Sequence, residues 1–167
     1  MSVLLGKSIF DTKIIPELID PNKQIQPVGI DLTVQKIEAY TSQGSIDFDN
    51  FNRVLPRLND TGKIDNYWLL GPGSYLVTFN EVVNVPGNCM GIARPRSSLL
   101  RMGATVETSV WDPGYKGRSQ SMLVVNNKNG IKIFDNARLI QIVFIQLEKS
   151  ADVLYTGIYQ GENLQKC

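Results

Sequence analysis

The chain has 167 residues, of which 43% are hydrophobic and 20% charged, and its 17 Lys and Arg residues are balanced by 16 Asp and Glu residues. This length fits a single domain, residues 1–167, and the even charge balance argues against a general affinity for nucleic acid. Because histidine is absent, Ser-His-Asp and Cys-His nucleophile systems and histidine-ligated metal sites are excluded.

The first ten residues, MSVLLGKSIF, form a short apolar run that Lys7 interrupts, so they predict neither a signal peptide nor a membrane span. The two cysteines, Cys89 and Cys167, are too few for a disulfide framework or for a zinc site built from cysteines. We therefore expect a cytoplasmic protein with no membrane partner.

Short apolar runs separated by turn residues dominate the chain from residue 29 onwards. Before them, the apolar spacing of residues 6–19 predicts one short helix or two turns. Residues 30–40 alternate as in a β-strand, and the polar residues 42–66 indicate a long loop. Further strands are predicted at 75–85, 90–94, 103–111, 121–125, 131–134, 138–147 and 152–157. This pattern is typical of an all-β sandwich, barrel or jelly roll, and we expect residues 157–167 to form a mobile arm.

Residues 93–117 concentrate the groups that could bind a small anion. The stretch ARPRSSLLRMGA predicts a short helix with Ser97 or Ser98 as its N-cap and Gly103 at its end. The N–H groups of a helix start beside Arg96 could bind phosphate oxygens. An ordinary capped surface helix with solvated arginines explains the same residues.

Asp112 and Tyr115 follow a strand-like run in the sequence WDPGYKG. A carboxylate at the mouth of this turn could accept a proton from water as a general base. Alternatively, Asp112 only initiates the turn. Tyr115 could stack on a sugar or a base, or it could be an aromatic residue of the core.

Two polar residues interrupt runs that are otherwise apolar. Gln141 lies inside LIQIVFIQL, and a buried amide needs hydrogen-bond partners, which a ligand or a neighbouring strand could supply. Asp31 lies in GIDL, where a structural and a chemical role are both open.

Taken in order, five segments resemble the motifs of the deoxyuridine triphosphatase (dUTPase) and deoxycytidine triphosphate (dCTP) deaminase superfamily. They are IQPVGIDLTV (25–34), ARPRSSLLRMG (93–103), SVWDPGYKG (109–117), NARLIQIVF (136–144) and GIYQG (157–161). The resemblance implies a mostly β, dUTPase-like subunit, a distorted jelly roll or β-barrel of the β-clip type, with one or two short helices. It also implies a homotrimer with sites at the subunit interfaces.

The residues around the third motif decide between the two activities of the superfamily. The N-terminal segment and the YQG sequence look more like the deaminase branch. That branch, however, has a glutamate in the strand after the third motif, where this chain has Met122, or Ser121 if one residue is inserted. It also has an arginine two residues before the motif's aspartate, where this chain has Val110. We therefore predict the hydrolase branch.

The resemblance then implies hydrolysis of dUTP to dUMP and pyrophosphate, with Asp112 activating a water that attacks the α-phosphorus. It implies that Tyr115 packs on the deoxyribose and that Mg²⁺ is held by the substrate phosphates, not by protein side chains. The residues expected to contact the phosphates are Arg96, Ser97, Ser98 and Gln141. Tyr159 and Gln160 could cap the base, and Lys166 could reach a phosphate.

Two alternatives stay open beside this hypothesis. One is a dCTP deaminase, either monofunctional or bifunctional with dUTP hydrolysis. The other is a non-catalytic paralogue that binds a nucleotide without turning it over.

Overall fold

This computed structural model describes residues 2–164 of the chain. They contain twelve strands and three short helices, joined by turns and loops. In chain order they are β1 (Ser2–Val3), α1 (Gly6–Asp11), α2 (Pro21–Gln24), β2 (Ile30–Tyr40), β3 (Leu58–Asp60), β4 (Tyr67–Leu70), β5 (Gly73–Phe79), β6 (Val83–Asn84), β7 (Cys89–Pro95), α3 (Ser97–Arg101), β8 (Ala104–Glu107), β9 (Lys116–Gly117), β10 (Gln120–Val125), β11 (Ile131–Phe134) and β12 (Arg138–Gln146). The predicted roles of Lys166 and Cys167 concern residues outside this range.

An antiparallel sheet of eight strands forms the body of the fold, with the order β1-β12-β2-β5-β10-β8. β3 also pairs with β2, and β7 pairs with β12. β12 is central because β2 and β7 both pair with it; it carries the predicted site residue Gln141, and β2 carries Asp31. The mostly β fold predicted from the sequence is confirmed.

The core lies along the buried faces of these strands. Leu32 of β2, Phe79 of β5, Leu123 of β10 and Ile142 of β12 are each 0% exposed. β10 and most of β12 bury every second residue, as expected when successive side chains of a strand point to opposite faces, whereas β2 buries Ile30–Val34 in succession and β5 buries its last three residues. Burying one such side chain stabilises the fold by about 1.5–3 kcal/mol.

Several predicted elements differ from the structure: the strand predicted at 75–85 is divided into β5 and β6, the one predicted at 103–111 is limited to β8, and β3 lies within the predicted loop. The helix predicted within residues 6–19 covers only Gly6–Asp11, and Lys13 then takes a left-handed conformation, with φ 61°. Residues 152–157 do not form a strand, so that prediction was wrong. Val153 is 82% exposed while Tyr155 packs against the core, so the segment does not bury alternate apolar residues as a strand of the sheet would.

The C-terminal segment, residues 157–164, returns to the body of the protein beside residues 114–118. The Gly161 N–H donates to the Lys116 carbonyl at 2.8 Å, and the Arg118 N–H donates to the Glu162 carbonyl at 2.9 Å. The segment therefore lies against the third of the quoted motifs. The mobility expected for residues 157–167 stays a prediction.

Candidate active site

Two cavities divide the predicted site residues between them. The first, the arginine cavity, has a volume of about 530 Å³ and is lined by Gln26, Asp31, Arg94, Pro95, Arg96, Ser97, Gln141 and Val143. The second, the aspartate cavity, has a volume of about 830 Å³, and its lining includes Asp112, Tyr115 and Tyr159. Lys166 lies outside the described residues, and of the other predicted site residues Ser98 and Gln160 line neither cavity. A single chain thus separates the predicted base from the predicted phosphate-binding groups.

The turn from β7 into α3 places Arg96 in the arginine cavity. β7 pairs with β12 as far as Pro95, and the next N–H group, that of Arg96, donates to the Leu139 carbonyl at 2.9 Å. The helix therefore begins at Ser97 with Arg96 as its N-cap, and no side-chain hydrogen bond caps it. The prediction of Ser97 or Ser98 as the N-cap was wrong by one or two residues, and both serines are exposed.

A buried carboxylate holds two arginines at this cavity. Asp31 is 1% exposed, and its Oδ2 lies 3.0 Å from Nε of Arg96 and 3.2 Å from Nη1 of Arg138. Burial raises the pKa of Asp31, and the positive charges of the two guanidinium groups oppose that rise. Arg96 uses Nε in this ion pair, so its two terminal nitrogens are left for an anion.

Gln141 serves the structure and the cavity together. It lies on β12 with Asp31 of β2 on one side and Arg94 of β7 on the other. Its side-chain Nε2 donates to the Val28 carbonyl. The neighbouring chain thus supplies a partner for the amide, while the residue also lines the arginine cavity. The sequence left open whether a ligand or the protein satisfies this amide; a protein partner does, and the position of Gln141 in the cavity lining allows a contact with a ligand as well.

The turn at residues 112–115 presents Asp112 at the aspartate cavity. Trp111 and Gly91 exchange two backbone hydrogen bonds, of 2.9 and 2.8 Å, which fix the chain just before the turn. The Tyr115 N–H donates to the Asp112 carbonyl at 3.1 Å, and Gly114 supplies the φ of +86° that the turn requires. The Asp112 side chain is exposed and, within residues 2–164, forms no hydrogen bond or ion pair. Its carboxylate is available to act on a bound water.

Tyr115 is fixed in the wall of the same cavity. Its side chain is 6% exposed, and its hydroxyl donates to Oε1 of Glu162 at 2.7 Å. The ring meets the Tyr155 ring edge-on, with centroids 5.8 Å apart and an angle of 70°. Burial, together with the Glu162 carboxylate, raises the pKa of Tyr115 well above its ordinary value, so the phenol stays a hydrogen-bond donor.

In the C-terminal segment, Tyr159 and Gln160 have different positions relative to the aspartate cavity. Tyr159 lines the aspartate cavity and is 39% exposed. The Gln160 side chain instead binds the backbone of the turn: Oε1 accepts from the Lys116 N–H at 2.8 Å, and Nε2 donates to the Gly114 carbonyl at 2.9 Å. In this arrangement Gln160 braces the turn, and its proposed contact with a base stays a prediction.

Sequence reasoning missed Glu162 and Ser119 as residues of the site. Both line the aspartate cavity, as does Ser121. The hydroxyls of Ser119 and Ser121 are buried and have no hydrogen-bond partner of standard geometry in the described structure. Ser119, just before β10, shares a buried face with Ser121 and Leu123 at every second position, and these serines in line with an apolar residue were a usable signal. No sequence pattern indicated Glu162, because its partner Tyr115 lies 47 positions earlier in the chain.

The polar lining of the arginine cavity suits an anion better than a bare metal ion. Asp31 is its one carboxylate, beside two arginines and two glutamines. Within residues 2–164 there is no group of three or more Asp, Glu, Cys or His side chains that could hold a metal. A divalent cation that arrives already bound to phosphates is compatible with this set of donors. None of the helices between residues 2 and 164 has the length and apolar character needed to cross a membrane.

Comparisons with known proteins agree with the motifs. A family profile described as dCTP deaminase-like matches residues 5–147. A protein of Methanosarcina acetivorans with the name "Probable deoxyuridine 5'-triphosphate nucleotidohydrolase" is 46% identical over 151 residues, covering 90% of this chain and 88% of that protein. A protein of Archaeoglobus fulgidus with the same name is 44% identical over 169 residues, covering 98% of this chain and 99% of that protein. The resemblance stated from the sequence is confirmed.

Two solved structures share the fold. The 2'-deoxycytidine 5'-triphosphate deaminase of Agrobacterium tumefaciens superposes with a TM-score of 0.63 at 20% identity, over 85% of this chain. The chain spans about half, 47%, of the length of that deaminase. The native EIAV dUTPase gives a TM-score of 0.50 at 16% identity, over 87% of this chain and 93% of the neighbour. At such identities the likeness establishes the architecture alone.

Proposed function

The chain belongs to the dCTP deaminase-like family, and from that premise we propose that it hydrolyses dUTP to dUMP and pyrophosphate. The names of its curated relatives, at 46% and 44% identity, support an enzyme of the hydrolase class. The observation that carries the choice of hydrolysis over deamination is the absence of a glutamate at Met122, or at Ser121 if one residue is inserted. Both residues line the aspartate cavity, and neither side chain can shuttle protons as the glutamate of the deaminase branch does.

Asp112 is the proposed general base. Its carboxylate lines the aspartate cavity, held there by the turn that Gly114 permits, and has no hydrogen-bond or ion-pair partner among residues 2–164. It would accept a proton from a water molecule as that water attacks the α-phosphorus, with pyrophosphate as the leaving group. Tyr115 would pack against the deoxyribose in the same cavity, and Tyr159 would cap the base.

The triphosphate is proposed to bind at the arginine cavity. Arg96 would contact phosphate oxygens through its terminal nitrogens, since Asp31 already holds its Nε. Ser97, Ser98 and Gln141 would add hydrogen bonds to the phosphates. Mg²⁺ carried by the triphosphate would neutralise part of its negative charge.

The separation of the two cavities supports a site shared between subunits. The base and the tyrosine belong to one cavity and the phosphate-binding residues to the other, and different residues line the two. We propose a homotrimer in which the arginine cavity of one subunit and the aspartate cavity of another complete each site. The single-domain organisation of residues 1–167 and the cytoplasmic location stay predictions.

One product assay tests the proposed function. Purified protein is incubated with Mg²⁺ and either dUTP or dCTP, and pyrophosphate, dUMP and ammonia are measured. We expect pyrophosphate and dUMP from dUTP and no ammonia from dCTP. Ammonia from dCTP would assign the chain to the deaminase branch, and binding of dUTP without any product would identify a non-catalytic protein.

A further inference from the structure

We propose that Glu162 is a positioning residue that holds the Tyr115 ring rigid and thereby sets the preference for deoxyribonucleotides over ribonucleotides. The inference rests on the proposed function, in which Tyr115 packs against the deoxyribose. Glu162 lies in the C-terminal segment, outside the quoted motifs, and its carboxylate meets the phenol of Tyr115 at 2.7 Å.

The Tyr115 ring is enclosed on three sides by this chain. Tyr155 meets it edge-on, Glu162 accepts its hydroxyl hydrogen, and the backbone of Gly117 lies directly against its hydroxyl end. A β-carbon added at Gly117 would lie 2.6 Å from the phenol oxygen and 3.1 Å from Cγ of Glu162. Glycine therefore allows the tyrosine and the glutamate to occupy the same small space.

The rigidity of the Tyr115 ring matters because, in this proposal, the ring discriminates between deoxyribose and ribose by steric exclusion. A ribose differs from a deoxyribose by one hydroxyl, and a ring that could retreat a little at low cost would admit it. The hydrogen bond to a carboxylate is stronger than one between neutral groups, and it holds the hydroxyl end of the ring. Glu162 thus raises the cost of moving the ring.

Other contacts hold the C-terminal segment in place without the Glu162 carboxylate. The Glu162 backbone carbonyl accepts from the Arg118 N–H, and the Asn163 carbonyl accepts from Nη1 of Arg118 at 2.7 Å. The side chain of Asn163 donates to the Arg118 carbonyl at 3.0 Å, and Gln160 braces the turn. Removing the carboxylate should therefore release the tyrosine and leave the segment docked.

The test compares the kcat/KM ratio for dUTP over UTP between the wild type and Glu162→Ala. We expect the ratio to fall about tenfold in Glu162→Ala, the equivalent of one charge-assisted hydrogen bond. Glu162→Gln, which keeps an oxygen acceptor, should retain most of the preference. Because Glu162 acts through the phenol, Tyr115→Phe should lower the ratio similarly, and the double variant Glu162→Ala/Tyr115→Phe should lower it no further.

Asn163→Gly is the matched control, because it removes another side-chain contact of the same segment and glycine tolerates the local φ of 54°. It should keep the wild-type ratio. The inference is overturned if Glu162→Ala keeps that ratio, if Asn163→Gly loses it equally, or if the two substitutions of the double variant act additively. A wild type that hydrolyses dUTP and UTP equally would also overturn it. A wild type that hydrolyses neither would instead refute the proposed function.

Discussion

Nε of Arg96 lies 3.0 Å from the Oδ2 of Asp31, so a carboxylate that is almost fully buried fixes an arginine at the wall of a cavity. The same oxygen lies 3.2 Å from Nη1 of Arg138, while Oδ1 of Asp31 is buried and has no hydrogen-bond partner among the described residues. One acid thus orients two cations that come from separate motifs of the sequence. The proposed triphosphate site depends on this acid even though the acid itself repels phosphate.

Replacing Asp31 with asparagine should therefore weaken both the fold and substrate binding. The amide keeps the shape of the side chain but leaves two partly buried guanidinium groups without their counter-ion, so we expect a loss of about 2–4 kcal/mol in the free energy of unfolding. The KM for dUTP should rise as Arg96 loses its orientation. Urea unfolding and steady-state kinetics measure the two effects.

The control for this variant is Asp11→Asn, which removes an exposed ion pair with Lys7. Exposed pairs of this kind contribute little, so both stability and KM should remain close to the wild type. An Asp31→Asn protein that matches Asp11→Asn in both measurements would show that the buried ion pair does not position Arg96.

Asp112→Asn tests the proposed base directly. The side chain is exposed and has no partner in the part of the chain that the structure describes, so the fold should be unaffected. Loss of a positioned general base lowers the rate by about 10²–10⁴-fold, and we expect kcat for dUTP to fall by that factor. Binding of a non-hydrolysable dUTP analogue, measured by calorimetry, should be retained. Full hydrolytic activity in this variant would remove Asp112 from its proposed role.

The sequence predicted the elements that carry the motifs better than the contacts between them. The strand predicted at 30–40 and the last long strand coincide with β2 and β12 to within one residue, because both show sustained apolar alternation. Asp31 was recognised as an unusual acid in a strand. Its partner Arg138 lies 107 positions away, and only the pairing of β2 with β12 brings the two together.

The composition of the C-terminal segment concealed its role. GENLQKC is polar and carries no periodicity, which indicates an arm without fixed structure. In the described part of the segment, the ordering comes from backbone hydrogen bonds to residues 116 and 118 and from the side chains of Gln160 and Glu162. Such contacts depend on the position of β9 in the folded structure. The residue pattern of the C-terminal segment itself does not indicate that position.

Gly117→Ala should damage the aspartate cavity through a single methyl group. The added carbon would lie 2.6 Å from the Tyr115 hydroxyl oxygen, so the ring or the Glu162 side chain must move. We expect kcat/KM for dUTP to fall at least tenfold and the dUTP preference over UTP to decline. Gly71→Ala is the control, since its β-carbon would meet no atom within 4 Å. Wild-type kinetics in Gly117→Ala would show that Tyr115 is not held by close contact.

The pH dependence of stability gives a last test of the Glu162 environment. Burial raises the pKa of Asp31, Glu81 and Glu162, so each binds protons more tightly in the folded than in the unfolded chain. Their contribution to the free energy of unfolding is complete below their unfolded pKa values, near 4, and is lost as pH rises through the folded values. Lowered pKa values at the partly buried Asp20 and Asp47 act in the opposite sense at more acidic pH.

Glu162→Gln isolates one of these contributions, because glutamine does not titrate and still accepts the Tyr115 hydrogen. Relative to the wild type, the variant should gain stability as pH rises from about 4.5 to 7, since only the wild type must ionise a half-buried carboxyl group. Urea unfolding at several pH values measures this difference. A difference that stays constant across the range would mean that Glu162 titrates alike in the folded and unfolded chains, which its burial beside Tyr115 does not allow.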